Sequence, residues 1–278
     1  MAPDWLATVA WFYLGVCFLC AAAIAYDIGF NRRRQAMGVM NAVYPITALY
    51  FGPFALELYR RWGRAAVRHT ATPSRTSGAA MPKTAMATPY MAKGSEGHGM
   101  PGSGGRHTQH DIGHGTEPHE ASRPIKPTKP RWATMAIEVS HCGSGCTLGD
   151  LIAEWTIFAL ALTIAGRALF AEYVGDYVLA LAFGIVFQYF AIAPMRGLGV
   201  RDGLKAAARA DFVSLTFFEI GLFGWMALMA FVFFSAPHHL MPSSAAYWFL
   251  MQIGMIVGFF TSWPANVWLV NRGIKIAM

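Results

Sequence analysis

The stretch Phe212–Phe234, FVSLTFFEIGLFGWMALMAFVFF, decides the fold class. It exceeds the roughly 20 residues that an α-helix needs to cross a hydrocarbon core of about 30 Å. Glu219 is its one ionisable side chain. Five further apolar segments are read outward from it, at about Leu6–Ile28, Met37–Leu58, Leu148–Phe170, Tyr177–Met195 and Tyr247–Val270. The 278 residues are 55% hydrophobic and only 13% charged, whereas soluble domains carry about 25% charged residues. The sequence therefore predicts an all-α protein, a polytopic transmembrane helical bundle of about six spans.

That commitment excludes much else. Little chain is left for a Rossmann, kinase or hydrolase domain, and the sequence holds no glycine-rich phosphate loop and no HExxH. The chain is not expected to be an enzyme, and no organic cofactor is indicated. Its net charge of +7 reads as basic cytoplasmic loops rather than nucleic-acid binding. The first segment has Asp4 and no basic residue ahead of it, so it reads as a retained span rather than a signal peptide.

Basic residues set the orientation. Of 22 Lys and Arg, 12 lie in the tract Arg60–Arg131, 4 follow the fourth segment, 2 are in the C-terminal tail and Arg167 lies in the third segment. The remaining 3 are Arg32, Arg33 and Arg34, between the first two segments. Six crossings with both termini inside place the tract, the fourth loop and the tail in the cytoplasm and export only this triplet. The triplet fits better inside, which requires the first segment to run outside-in and the second to be re-entrant. The second segment carries Asn41, Pro45, Pro53 and Glu57, which suit a broken element buried in protein. The favoured reading is six true spans, in a bacterial inner membrane, with linker and C-terminus cytoplasmic.

The domain reading is an N-terminal pair of membrane segments (1–59), a linker (60–131) and a C-terminal four-helix domain (132–278). From about His69 to Pro130 the composition turns to Gly, Pro, Ser, Thr, Lys and His, a mixture that cannot bury enough apolar surface to fold. Six of the 9 histidines lie there, with His107, His110, His114 and His119 loosely clustered near Met100. Such a tract is a solvated linker, a weak holder of Zn(II) or Cu(II), or a recruiting segment for a cytoplasmic partner.

The most unusual string is SHCGSGCTLGD, Ser140–Asp150. His141, Cys142 and Cys146 offer an imidazole and two thiols, donors that suit copper or zinc. Cys142, Cys146, Asp150 and Glu154 recur every four residues. If the helix begins early they share one side, either a face by which a metal ion enters or a proton-linked path. Gly143 and Gly145 argue against helix there, and then the thiols are structural or redox groups in a loop. Glu219 inside a span is a functional suspect by default. Its expected neighbours are Gln188 and Gln252, and together they make an in-membrane polar path or a helix-packing network. Arg167 is expected to pair with Glu154 or Glu172. Cys17 and Cys20, and the methionines, read as packing residues. Pro264, within TSWPAN, is expected to kink the last span.

Four strings carry a resemblance: HCGSGCTLGDLIAEW from His141, FGIVFQYFAIAPMRGLG from Phe183, TSWPANVWLVNRGIKIAM from Thr261 and the run beginning DIGFNRRRQAMG at Asp27. Through them the chain resembles the bacterial membrane-protein family catalogued as domain of unknown function 4396. The resemblance implies a polytopic helical bundle in the inner membrane and no activity. The leading expectation is a soft-metal site at His141, Cys142, Cys146, Asp150 and Glu154, with copper or zinc bound and transported. The alternatives are a proton-coupled transporter of a non-metal solute and a membrane scaffold or accessory subunit.

Overall fold

A computed structural model describes residues 3–31, 33–35, 37–65, 129–197, 199–234 and 240–275. Most of the linker and its histidines, His107, His110, His114 and His119, lie outside the described residues, as does Met100. Apart from one bridge between Ile164 and Arg167, all regular structure among the described residues is helical.

The helices are α1 (Asp4–Gly29), α2 (Met40–Phe51), α3 (Pro53–Leu58), α4 (Arg131–Leu160), α5 (Ala168–Arg196), α6 (Val200–Leu228) and α7 (Ala245–Asn271). Single π-helical turns, Tyr59–Gly63 and Met229–Phe233, extend α3 and α6. Among the described residues four helical stretches are long and apolar enough to cross a membrane: α1, α5, α6 with its π-turn, and α7. Their outward faces carry Phe, Trp, Leu and Val, side chains that lipid solvates at no cost.

The second segment is a broken helical hairpin rather than one continuous helix. Gly52 ends α2 at φ +51°, a conformation open to glycine, and Pro53 restarts the chain as the first residue of α3, where its missing N–H costs nothing. The tip of this hairpin reaches the middle of α1: the Tyr13 hydroxyl donates to the Tyr50 carbonyl at 2.9 Å, and Gly52 packs against Cys17. The hairpin then returns to where it began. Asp27, near the end of α1, accepts hydrogen bonds from the Tyr59 hydroxyl (2.9 Å), Arg64 Nε (2.8 Å) and Arg64 Nη2 (2.7 Å). Gly63 lies against Tyr44, and Gln35 Nε2 donates to the Gly63 carbonyl at 2.8 Å. Twelve residues of α2 rise only about 18 Å, too short to span.

Among the described residues four helices, rather than about six, are long and apolar enough to cross, and the start of α1 lies at the opposite end from the linker. Leu6 clusters with Met226, Tyr247 and Leu250 at the far end, while the Trp62 and Trp132 rings, 4.7 Å apart, join hairpin exit and α4 start at the linker end. The triplet's described members, Arg33 and Arg34, share that end with Arg60, Arg61, Arg64 and Arg131, the start of α6 and Arg272.

The third segment is also corrected, from Leu148–Phe170 to α4 at Arg131–Leu160. It stops where Ala161 turns left-handed at φ 50°, and Leu162 N–H closes back on the Ile157 carbonyl at 3.0 Å. Arg167 therefore lies in the α4–α5 loop, over the Phe231 ring at 5.4 Å, and pairs with neither Glu154 nor Glu172. Gly143 and Gly145 do not break the helix, because tertiary packing uses them. A Cβ on Gly145 would stand 2.7 Å from the Gly184 Cα, and one on Gly149 2.7 Å from the Ala180 Cα. Small residues at this interface let two backbones touch, the usual solution where lipid offers no hydrophobic drive. α4 is the bundle's centre, packed against α5, α7, α2 and α6.

Candidate functional site

The central position of α4 explains why so polar a helix stays in the bundle. Its four-residue series begins one turn earlier than the sequence suggested, at Glu138, and continues through Cys142, Cys146, Asp150 and Glu154. All five are buried. The antiparallel α5 carries a matching series: Glu172, Asp176, Ala180, Gly184 and Gln188. Its small members, Ala180 and Gly184, meet Gly149 and Gly145. The polar members on either side of this contact are thereby held at fixed depth.

Two polar groups result. Toward the far end and the middle lie four carboxyls: Asp150 and Glu154 of α4, Asp176 of α5 and Glu219 of α6. Each is at most 1% exposed. Asp150 faces Glu219, Asp176 and Glu154, Glu154 faces Asp176, Glu172 and Tyr247, and Glu219 faces Cys146. Their polar neighbours among the described residues are one another, Glu172, Tyr247 and Cys146, none of them a cation. The ion pairs among the described residues are made by Arg33, Arg61, Arg64 and Lys275, and none reaches these four. A buried carboxylate left unpaired is too costly to persist. Each of the four must carry a proton or meet a cation.

The second group closes the linker end. Lys275 Nζ lies 2.6 Å from Cys142 Sγ, 3.0 Å from Asn266 Oδ1, 3.2 Å from Asp211 Oδ1 and 3.3 Å from Glu138 Oε1. His141 is fully buried beside Phe187, ring centroids 6.3 Å apart, and neither ring nitrogen has a hydrogen-bond partner among the described residues. At the far end, Glu172 and Tyr247 line a cavity of about 780 Å³ together with Arg167, Phe158, Phe231 and Met229. From this cavity the polar side chains follow one another through the bundle to Lys275.

The residues predicted as metal ligands share a helix but do not converge. Adjacent positions on a helix point about 100° apart: His141 turns to α5, Cys142 to the tail and Cys146 to Glu219. Among the described residues no three His, Cys, Asp or Glu side chains are placed to hold a metal ion. Gln188 is buried on α5, and Gln252 donates its amide to the Leu49 carbonyl, which ties the hairpin to α7. Pro264 is accommodated within a helix whose neighbours Ser262 and Asn266 bond to backbone carbonyls at 3.0 Å.

Glu138, Asp176, Asp211 and Lys275 escaped the sequence reading. Asp176 and Asp211 stand just outside the apolar windows, and Lys275 counted as a tail charge. Continuing the four-residue spacing, back from Cys142 on α4 and back from Gln188 on α5, would have found two of these four, Glu138 and Asp176.

The model of the domain of unknown function DUF4396 matches residues 131–275, more than half of the chain. The chain belongs to the DUF4396 family. The match begins at the first residue of α4 and ends on Lys275. The DUF4396 region thus contains both polar groups and leaves the hairpin outside. No curated protein and no solved structure matches the chain.

Proposed function

We propose that this is a proton-coupled membrane transporter, in which the carboxyl column of α4–α7 passes protons between the far-end cavity and the linker end. The observation that carries this reading is the set of four buried carboxyls on three helices that meet no cationic side chain among the described residues. Structural ion pairs are neutralised where they stand, as Lys275 is. Groups that bind and release a proton must be free of such partners, and they must lie in sequence along a path. Intramembrane carboxyls with these properties mark proton relays.

The direction follows from charge. Lys and Arg concentrate at cytoplasmic ends, so we place the linker end in the cytoplasm and the cavity on the opposite face. The solute enters through that cavity. Its aromatic and methionine walls supply apolar contact, and Glu172 joins it to the carboxyls.

The test is proton movement in proteoliposomes loaded with a pH-sensitive dye, with the membrane potential clamped. Vesicles with the wild-type chain are expected to dissipate an imposed pH gradient faster than vesicles with Glu219→Gln or Asp176→Asn. Equal rates for wild type and both carboxamide variants refute the column as a proton path.

A further inference from the structure

The chain beyond α7 folds back into the bundle. The N–H groups of Ile274 and Lys275 both close on the Leu269 carbonyl, at 3.1 and 3.3 Å. This sends the Lys275 side chain inward until it is wholly buried. Its ammonium donates to Cys142 Sγ, Asn266 Oδ1 and Asp211 Oδ1, which matches its three N–H donors, and the Glu138 carboxylate stands beside it at 3.3 Å. The shell is held in place before the ammonium arrives. Asn266 Nδ2 donates to Ser214 Oγ at 2.7 Å and to the Ser262 carbonyl at 3.0 Å, which aims its oxygen at the Lys275 nitrogen. Two carboxylates face one ammonium, and Asp211 Oδ2, fully buried, has no hydrogen-bond partner among the described residues.

A tail that served only packing would use an apolar residue, since a buried ion pair rarely stabilises more than well-packed hydrophobic groups do. The shell is fitted to a cation of ammonium size, and it stands at the linker end of the column. We infer that Glu138, Cys142, Asp211 and Asn266 form a binding site for a primary ammonium group. The chain fills it with its own Lys275, which closes the linker end, and an ammonium-bearing solute takes it when the tail withdraws. This deepens the transport reading by naming a substrate class, a small primary amine or ammonium, and it rests on that reading for the column.

The experiment uses purified full-length wild type and Lys275→Ala in detergent. Thermal unfolding is followed in methylammonium chloride and in tetramethylammonium chloride at equal ionic strength. Reaction of Cys142 with iodoacetamide is followed by peptide mass spectrometry. Lys275→Ala is expected to unfold at a lower temperature than wild type, to be restored by methylammonium and not by the bulkier ion that lacks N–H donors. Cys142 should react about tenfold or more faster in the variant, as expected where a closing contact is lost, and methylammonium should slow it. Absence of a selective restoration, or equal reactivity of Cys142, overturns the inference. If Lys275→Ala does not fold, Asp211→Asn/Lys275→Ala brings the net charge of the shell back to its wild-type value. Cys142 is expected to be reactive in that variant, and its protection there overturns the inference. Neither readout involves proton flux, so failure of the ammonium site and failure of the carboxyl path are told apart.

Discussion

Gly149 of α4 and Ala180 of α5 touch backbone to backbone: a Cβ added to Gly149 would lie 2.7 Å from the Ala180 Cα. Nothing at that contact is a flexible side-chain tip, so the helices must separate. Gly149→Ala should destabilise the bundle by about 1–3 kcal/mol, the usual cost of overpacking. At Gly175 the first neighbour is Ile157 Cδ1, which can rotate away. Thermal unfolding in detergent should therefore rank Gly149→Ala well below Gly175→Ala. The reverse order would show that the α4–α5 contact is looser than this geometry.

Asp27 gathers the two feet of the hairpin. It holds Arg64 and Tyr59 from the outgoing strand of chain and Asn31 from the incoming one. Asp27→Ala removes all of them. Because the Arg64 side chain is 40% exposed, water replaces part of what it loses, and the cost is set at about 1–2 kcal/mol. The expected signature is local: faster amide exchange across α2 and α3, with α5 and α6 unchanged. Uniformly faster exchange would mean that Asp27 supports the whole bundle instead.

The hairpin also makes a topological prediction. Cysteines introduced at Arg34 and Arg272, both exposed at the linker end, should react with a membrane-impermeant thiol reagent from the same side of sealed vesicles. A cysteine at Ser243, in the exposed far-end loop, should react only from the other side. Six complete crossings would instead place positions 34 and 272 on opposite sides.

Apolar windows located the four helices long and apolar enough to cross a membrane, α1 and α7 to within a few residues, because lipid-facing surface must be apolar whatever the neighbours are. Helices α5 and α6 begin well ahead of their windows, at Ala168 and Val200, where the chain is more polar. The same windows misplaced α4. Its first half, from Ala133 to Thr147, is rich in Gly, Ser, Cys and Ala, and it is buried by other helices rather than by lipid. Hydropathy does not register that kind of burial. The hairpin was legible as an alternative through Pro45, Pro53 and the arginine triplet. What decided it, Asp27 binding Arg64 from 37 residues away, is a tertiary contact with no local trace. In the site, spacing put Cys142, Cys146, Asp150 and Glu154 on one face, but spacing on one helix does not say what stands opposite. Lys275 before Cys142, and Glu219 before Cys146, turned an expected ligand set into two separate environments.

Asp176 and Asp211 are both fully buried and differ in their partners, which makes them a matched pair. Asp211 Oδ1 is 3.2 Å from Lys275 Nζ; Asp176 meets no cation among the described residues. Asp→Asn makes the same change at both, replacing a carboxyl by a neutral group of equal shape. At Asp211 it strips charge from a buried ammonium, and loss of one partner in a buried pair costs about 3–5 kcal/mol. At Asp176 a protonated acid already has the charge of an amide, so the change should stay within about 1 kcal/mol. Unfolding of the two variants in detergent is the measurement, beside proton flux in vesicles. The expected result crosses over: Asp211→Asn loses stability, whereas Asp176→Asn keeps stability and loses flux. A large stability loss at Asp176 would mean that it bears a charge held by a cation, and the column would then be an ion path rather than a proton path.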